Sequence, residues 1–286
     1  MARFTKRRSI HGQDIYDTTD NQLVAKGGFV AGGQKSIGNK GGNVVLPGAP
    51  GSVAVFDDFL GDLVDDSWAF QENDTGATDI SGVVVAGTNG IFRLAFTANS
   101  APIPANHGLI NTGLFPQWKA KQGNLRFAAR IKIDDLTGAN VFAGFADTGA
   151  SQQPLYDTGG NSANGVPLAL SSSAVGFLYS GGAAAPSQRW RGVAVNADTV
   201  ATPIDGDSGT DNVYTVLEIE LGDTGNGGDG DIAYFKQDGV LKGSISSPIP
   251  ATRAMVPVIS AFKSEANALN VDIDYINVSA TRDTGD

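Results

Sequence analysis

The stretch LEIELGDTGNGGDGDIAYFKQDGVL, residues 217–241, holds two runs of alternating polarity joined by an Asp/Gly-rich link and closed by an Asp-Gly pair. In the first run Leu217, Ile219 and Leu221 point one way and Glu218 and Glu220 the other, which is the period-two pattern of a half-buried strand. The second run reaches Asp238-Gly239, a dipeptide suited to a two-residue hairpin turn because both positions there need positive φ. Three readings compete for the stretch: a carboxylate pair, a calcium loop, or a plain β-hairpin. Glu218 and Glu220 project from one strand face about 7 Å apart at the backbone, a spacing compatible with a pair of sugar-cleaving carboxylates. The same alternation is also what a solvated strand face requires.

The pattern extends outward from this stretch. In NLRFAARIKID, residues 124–134, Leu125, Phe127, Ala129, Ile131 and Ile133 face one way and Arg126, Arg130 and Lys132 the other. In VYTVLEIEL Val213, Leu217, Ile219 and Leu221 are expected to face inward, and in LNVDIDYI Leu269, Val271 and Ile273 inward with Asp272 and Asp274 outward. SGVVVAG, GIFRLAF, ANVFAGFAD, AVGFLYS, RWRGVAV and VPVISAF read as further strands separated by turn residues, the signature of an antiparallel sandwich or barrel. No run holds a 3.6-residue period with caps, so helix is expected to be minor. The Gly/Ser/Asn-rich stretches 147–173 and 196–212 read as long surface loops.

A chain of 286 residues can build one large all-β domain. It has no cysteine, which excludes a disulfide framework, a thiolate metal site and a cysteine nucleophile. The basic start, MARFTKRRSIHGQDIYD, is not followed by an apolar run of signal-peptide length, and nothing later is long and apolar enough for a spanning helix. The expectation is a soluble protein made in a cytoplasm. Its net charge of −10 is unevenly spread. Residues 1–52 carry 7 Lys/Arg against 3 Asp, and the remainder 13 against 27 acidic residues, so a basic arm precedes an acidic body. An acidic body argues against wrapping nucleic acid, which needs a cationic surface.

Within that arm, residues 27–52 read GGFVAGGQKSIGNKGGNVVLPGAPGS. Glycine pairs and two prolines interrupt every period, so the segment orders little surface for a large entropy cost and is expected to be extended. Phe29, Ile37 and Val44 to Leu46 stand in it as isolated apolar anchors.

Three segments together resemble the concanavalin A-like, laminin-G-like sandwich superfamily. They are VFDDFLGDLVDDSWAF at 55–70, VYTVLEIEL followed by IAYFKQDGVL, and the closing pair VPVISAF and LNVDIDYINV. The resemblance covers roughly residues 53–281 and implies an all-β jelly roll of two antiparallel sheets over 53–286, preceded by an extended N-terminal arm over 1–52. Family 16 glycoside hydrolases of that superfamily carry an E-x-D-x-x-E strand. This chain has E-x-E-x-x-D at Glu218, Glu220 and Asp223, placed directly before the hairpin rather than upstream of it, so the stretch reads as a hairpin and the chain as a non-enzyme.

Other chemistry is sparse. In GDTGNGGDGD Asp223, Asn226, Asp229 and Asp231 offer oxygens to a hard cation, and Asp205, Asp207 and Asp211 do so in DGDSGTD, though neither has an EF-hand order. The cofactor expectation is none, with calcium at Asp223, Asp229 and Asp231 left open. His11 and His107 stand far apart and flank no catalytic motif. In SQRWRG, Trp190 between Arg189 and Arg191 is the best candidate sugar platform.

These features resemble, in style, structural proteins of tailed-bacteriophage virions. The expectation is a capsid decoration or cement protein on the virion surface, a homo-oligomer such as a trimer. Its arm would engage the major capsid protein through Arg3, Arg7, Arg8, Lys26, Lys35 and Lys40, with Phe29 and Ile37 as anchors. The alternative is a glycan-binding adhesion protein of a tail or fibre, recognising a host-surface glycan.

Overall fold

The computed structural model describes residues 52–59, 68–73, 79–85, 90–98, 106–112, 118–147, 155–157, 167–169, 173–181, 188–222 and 230–281, with the strand backbones at 7–10, 13–17 and 23–25. Two antiparallel sheets dominate. Sheet I runs in the order Val240–Ser246, Ile232–Gln237, Tyr214–Gly222, Leu125–Ile133, Leu269–Thr281, Ile91–Phe96, Ile80–Val85, and Ser52–Asp57 also pairs with Leu269–Thr281. Sheet II runs Thr199–Val200, Arg189–Asn196, Ala174–Ser180, Ala139–Ala146, Val256–Lys263, His107–Asn111, Ala69–Asn73, and Ile204–Ser208 also pairs with Arg189–Asn196. The helix among the described residues is one 3-10 turn, Ala120–Gln122.

The alternation read from the sequence places the core between the sheets. Leu125, Phe127, Ala129, Ile131 and Ile133 are all buried while their neighbours are exposed or half-buried. Facing them from sheet II are Val141, Ala143, Phe145, Phe177 and Ile259. Phe177 meets Phe235 edge-on at 5.5 Å between centroids, a favoured quadrupole geometry. Each such ring contributes about 1.5–3 kcal/mol by leaving water. The sheets approach closely where Gly192 lies over Phe235: a Cβ there would stand 2.6 Å from the ring.

The quoted hairpin is present. Leu217 pairs with Gln237 and Gly222 with Ile232, and the turn at Asp238 and Gly239 has φ of 51° and 76°. Asp238 Oδ1 accepts from the Val216 amide at 2.8 Å and so ties the turn to the strand Tyr214–Gly222.

Four details depart from the sequence reading. Val213 does not face inward: the strand begins at Tyr214, after a turn with Asn212 at φ 61°, and Val213 is 52% exposed. The closing strand contains a bulge between Ile273 and Tyr275, which resets its phase so that Ile276, Val278 and Ala280 return to the core. The stretch 196–212 is not a free loop, because Thr199–Val200 and Ile204–Ser208 extend the edge of sheet II. Within 147–173, Leu155–Asp157 and Pro167–Ala169 pair as a small hairpin.

The strand Ser52–Asp57 joins sheet I beside Leu269–Thr281. Within the arm, Arg7–Ile10, Gln13–Asp17 and Leu23–Ala25 form a three-stranded antiparallel sheet of their own, paired with neither large sheet. The extended backbone there is folded into a meander, which places Arg7 and Arg8 on its first strand.

Candidate functional site

Glu218 and Glu220 lie on the outer face of sheet I. Glu220 is held between two cations, with Arg126 Nη2 2.7 Å from Oε1 and Lys236 Nζ 3.1 Å from Oε2. Burial pushes its pKa upward, but the Lys236 hydrogen bond and the Arg126 charge outweigh it and hold the group below the usual carboxylate range. Glu218 has no ion pair among the described residues, but the other carboxylates of this face are paired. Asp272 receives Arg93 and Lys132, and Asp274 receives Arg130 at 2.6 Å. The Arg130 guanidinium lies 4.3 Å over the Tyr214 ring. This surface is a lattice of compensated charge.

The outer face of sheet II differs in kind. Leu109, Phe142, Leu178, Val193, Val195 and Val258 form a second apolar cluster, each at most 3% exposed. The Leu155–Asp157 strand lies against Ala139–Ala146 and Ala174–Ser180. Among the described residues, no outward side chain of these central strands is a carboxylate. Burial on both faces explains why VFAGFA and AVGFLY read as continuous apolar runs rather than alternations.

Trp190 is corrected from platform to core. Its side chain is 2% exposed, packs in the main core and meets Tyr179 at 5.4 Å between centroids, so it presents no ring face to a ligand. The strand alternation that turns Trp190 inward turns Arg189 and Arg191 outward, where both reach Asp205, at 3.3 and 3.5 Å.

The carboxylates of 205–211 do not converge. Asp205 serves these arginines, Asp207 pairs with Lys242 at 2.6 Å, and Asp211 Oδ1 accepts from the Leu136 amide at 2.9 Å. Among the described residues no three His, Cys, Asp or Glu side chains group as a metal site. Asp231 is half-buried beside Ile232, whereas Asp223 and Asp229 lie outside the described residues. The same holds for Arg3, Lys26, Phe29, Lys35, Ile37, Lys40 and His11. His107 is buried on a sheet II strand.

Two clefts open at opposite ends of sheet II. One, of about 800 Å³, is lined by Asp147, Ser173, Asp198 and Arg253, with the Arg253 Nε and Nη2 at 3.0 and 2.7 Å from Asp147 Oδ2. The other, of about 440 Å³, is lined by Leu136, Thr137, Tyr179, Gln188, Ser208, Gly209, Thr210 and Asp211. Tyr179 is 1% exposed. Its burial, with Asp211 and Asp135 nearby, pushes its pKa up to about 12. The arm joins at the first end, since Ser52 pairs with Thr281, while the second cleft lies beyond Ile133 at the opposite end of the strands. The sequence candidate DGDSGTD supplies four of the second cleft's residues, Ser208 to Asp211, while the rest of its lining comes from three other segments that no motif marked.

No protein-family model matches the sequence, and no curated protein matches it. Solved structures do match in shape. A β-glucanase from Bacillus licheniformis superposes with a TM-score of 0.50 at 12% identity, covering 79% of this chain and 97% of that one. A glycoside hydrolase family 16 endo-glucanase from Bacteroides ovatus gives 0.51 at 12%, covering 78% and 98%. The carbohydrate recognition domain of Emp47p gives 0.50 at 9%, covering 77% and 90%. Identities this low speak to architecture alone. With its two antiparallel sheets, near-absence of helix and these neighbours, the chain has the concanavalin A-like jelly-roll fold.

Proposed function

We propose that the protein is a non-enzymatic structural component of a tailed-phage virion that decorates or cements the capsid and is anchored by its N-terminal arm. The observation that carries this reading is the division of the chain: a basic leader, part of it paired only with itself, is joined to a self-contained acidic sandwich. Such a leader supplies binding surface in addition to the domain's own. Its lysines and arginines suit an acidic shell surface, and several copies around a symmetry axis multiply a weak contact. The neutralised Glu220, and central sheet II strands whose described outward side chains include no carboxylate, support a non-catalytic role. Co-sedimentation with shells of the encoding phage tests it. The full chain is expected to pellet with them and a chain lacking residues 1–51 to stay in solution; equal pelleting of both overturns the anchoring role.

A second reading, a glycan-binding module of an adhesion protein, is supported by the carbohydrate recognition domain among the neighbours of the same fold. It is compatible with the first, since the sandwich end opposite the arm would face outward from a shell. An array of bacterial surface glycans, run with and without calcium, tests it. Binding to none under either condition counts against it.

A further inference from the structure

We infer that the cleft of about 440 Å³ at the end of the sandwich opposite the Ser52 junction binds a neutral polyhydroxylated ligand, the terminal sugar of a glycan. The inference rests on the second reading above and gives it a place. The volume falls within the roughly 300–1,000 Å³ of small-molecule sites.

The chemistry of the lining selects the ligand. Tyr179 is almost wholly buried, lines this cleft, and its hydroxyl has no hydrogen-bond partner among the described residues. A hydroxyl at the cleft wall can exchange water for a ligand oxygen. The group stays protonated at physiological pH, so it can donate. Around it stand both acceptors and donors. Gln188 gives its amide N–H to the Gly181 carbonyl at 2.9 Å, which leaves its amide oxygen for a ligand. Asp211 uses Oδ1 on the Leu136 amide, and Oδ2 has no partner among the described residues. Ser208, Thr210 and Thr137 add hydroxyls able to act either way.

Mixed donors and acceptors at close quarters match a ring bearing several hydroxyls. Among the described residues that line the cleft there is neither lysine nor arginine and Asp211 is the one charged group, so a phosphate or carboxylate ligand would meet repulsion from it rather than a counter-charge. Leu136 supplies an apolar wall for the C–H face of a sugar. Gly209 keeps the space open, because a Cβ there would lie 2.9 Å from Leu136 Cδ1 and 3.4 Å from Tyr179 Cε2. The binding role that the sequence assigns to Trp190 is thus taken by its tilted ring neighbour Tyr179, one strand away.

The test is an amide-resolved NMR titration of the full chain with glucose, galactose, mannose and N-acetylglucosamine, with glucose 6-phosphate as the charged control. At least one neutral sugar is expected to shift the amides of Gln188, Gly209 and Thr210 saturably, and the phosphate is expected not to. Tyr179→Phe, which removes one oxygen, should weaken that binding about tenfold with little change in the thermal midpoint. Unchanged affinity in Tyr179→Phe overturns the site, as does a stronger response to the phosphate. Shifts confined to amides around Arg253 overturn this site while keeping the glycan reading; no shifts anywhere, together with a blank glycan array, remove both.

Discussion

Arg93 grips Asp272 with two arms of its guanidinium across the outer face of sheet I, Nε 2.6 Å from Oδ1 and Nη2 2.9 Å from Oδ2. The Asp272 side chain is only 2% exposed, and Lys132 Nζ completes the site at 2.9 Å. The register puts Asp272 directly opposite Arg93 on one neighbouring strand and Lys132 on the other. Replacing Asp272 by Asn strands two cations around a neutral group. Because Arg93 is one-third exposed and partly solvated, the expected cost is about 2–3 kcal/mol, at the low end for breaking a buried pair. Urea unfolding of Asp272→Asn against the parent measures it, and a loss under about 0.5 kcal/mol would contradict the pairing.

The same carboxylate sets an acid limit. Burial pushes the Asp272 pKa up, but hydrogen bonds from Arg93 and Lys132 prevail and hold it below the ordinary aspartate value of 3.8; Glu220 is likewise held below the ordinary glutamate value of 4.5. Both are lower in the folded chain than in the unfolded one, so the unfolded state binds more protons as pH falls. Their stabilisation is present in full above pH 4.5 and is lost as pH drops through the folded values. Thermal midpoints should therefore decline below about pH 4, and less steeply in Asp272→Asn.

Gly192 sets the distance between the sheets over Phe235. An alanine there would place Cβ 2.6 Å from Phe235 Cγ and 2.8 Å from Cδ1, too close for either sheet to keep its position. Gly192→Ala is expected to destabilise by about 1–3 kcal/mol, the usual cost of overpacking. Adding Phe235→Leu should recover part of that loss if the clash is the cause. A double mutant that merely sums the two losses would point to a different origin.

The turn joining Arg189–Asn196 to Thr199–Val200 holds Ala197 at φ 46° and Asp198 at φ 68°. Alanine is strained in that left-handed region, and Ala197 is exposed, so trimming it removes no packing. Ala197→Gly is expected to stabilise the domain by about 0.5–1 kcal/mol, the relief of strain exceeding the added unfolded-state entropy. Chemical denaturation at neutral pH gives the sign directly.

Much of the fold is legible one residue at a time. The alternation of Leu125 to Ile133 and of Leu217 to Leu221 identifies strand and inward face together, because the strand period is two and water selects the face. The Asp238-Gly239 turn is legible for a similar local reason, its demand for positive φ. Val213 was misplaced because parity was carried past the end of its strand. The bulge at Asp274 carries no sequence mark of its own.

The sequence by itself determined a cysteine-free, all-β chain in which a basic leader precedes an acidic sandwich, since composition and period-two patterning depend only on neighbours along the chain. Only the tertiary structure decided that Trp190 turns into the core while Tyr179 opens on a cleft, and that Glu220 sits between two cations. Those outcomes depend on side chains brought together from strands nearly a hundred residues apart, such as Arg126 and Glu220. Burial and charge pairing are properties of the packed sheets, and no local pattern encodes which distant side chain will face which.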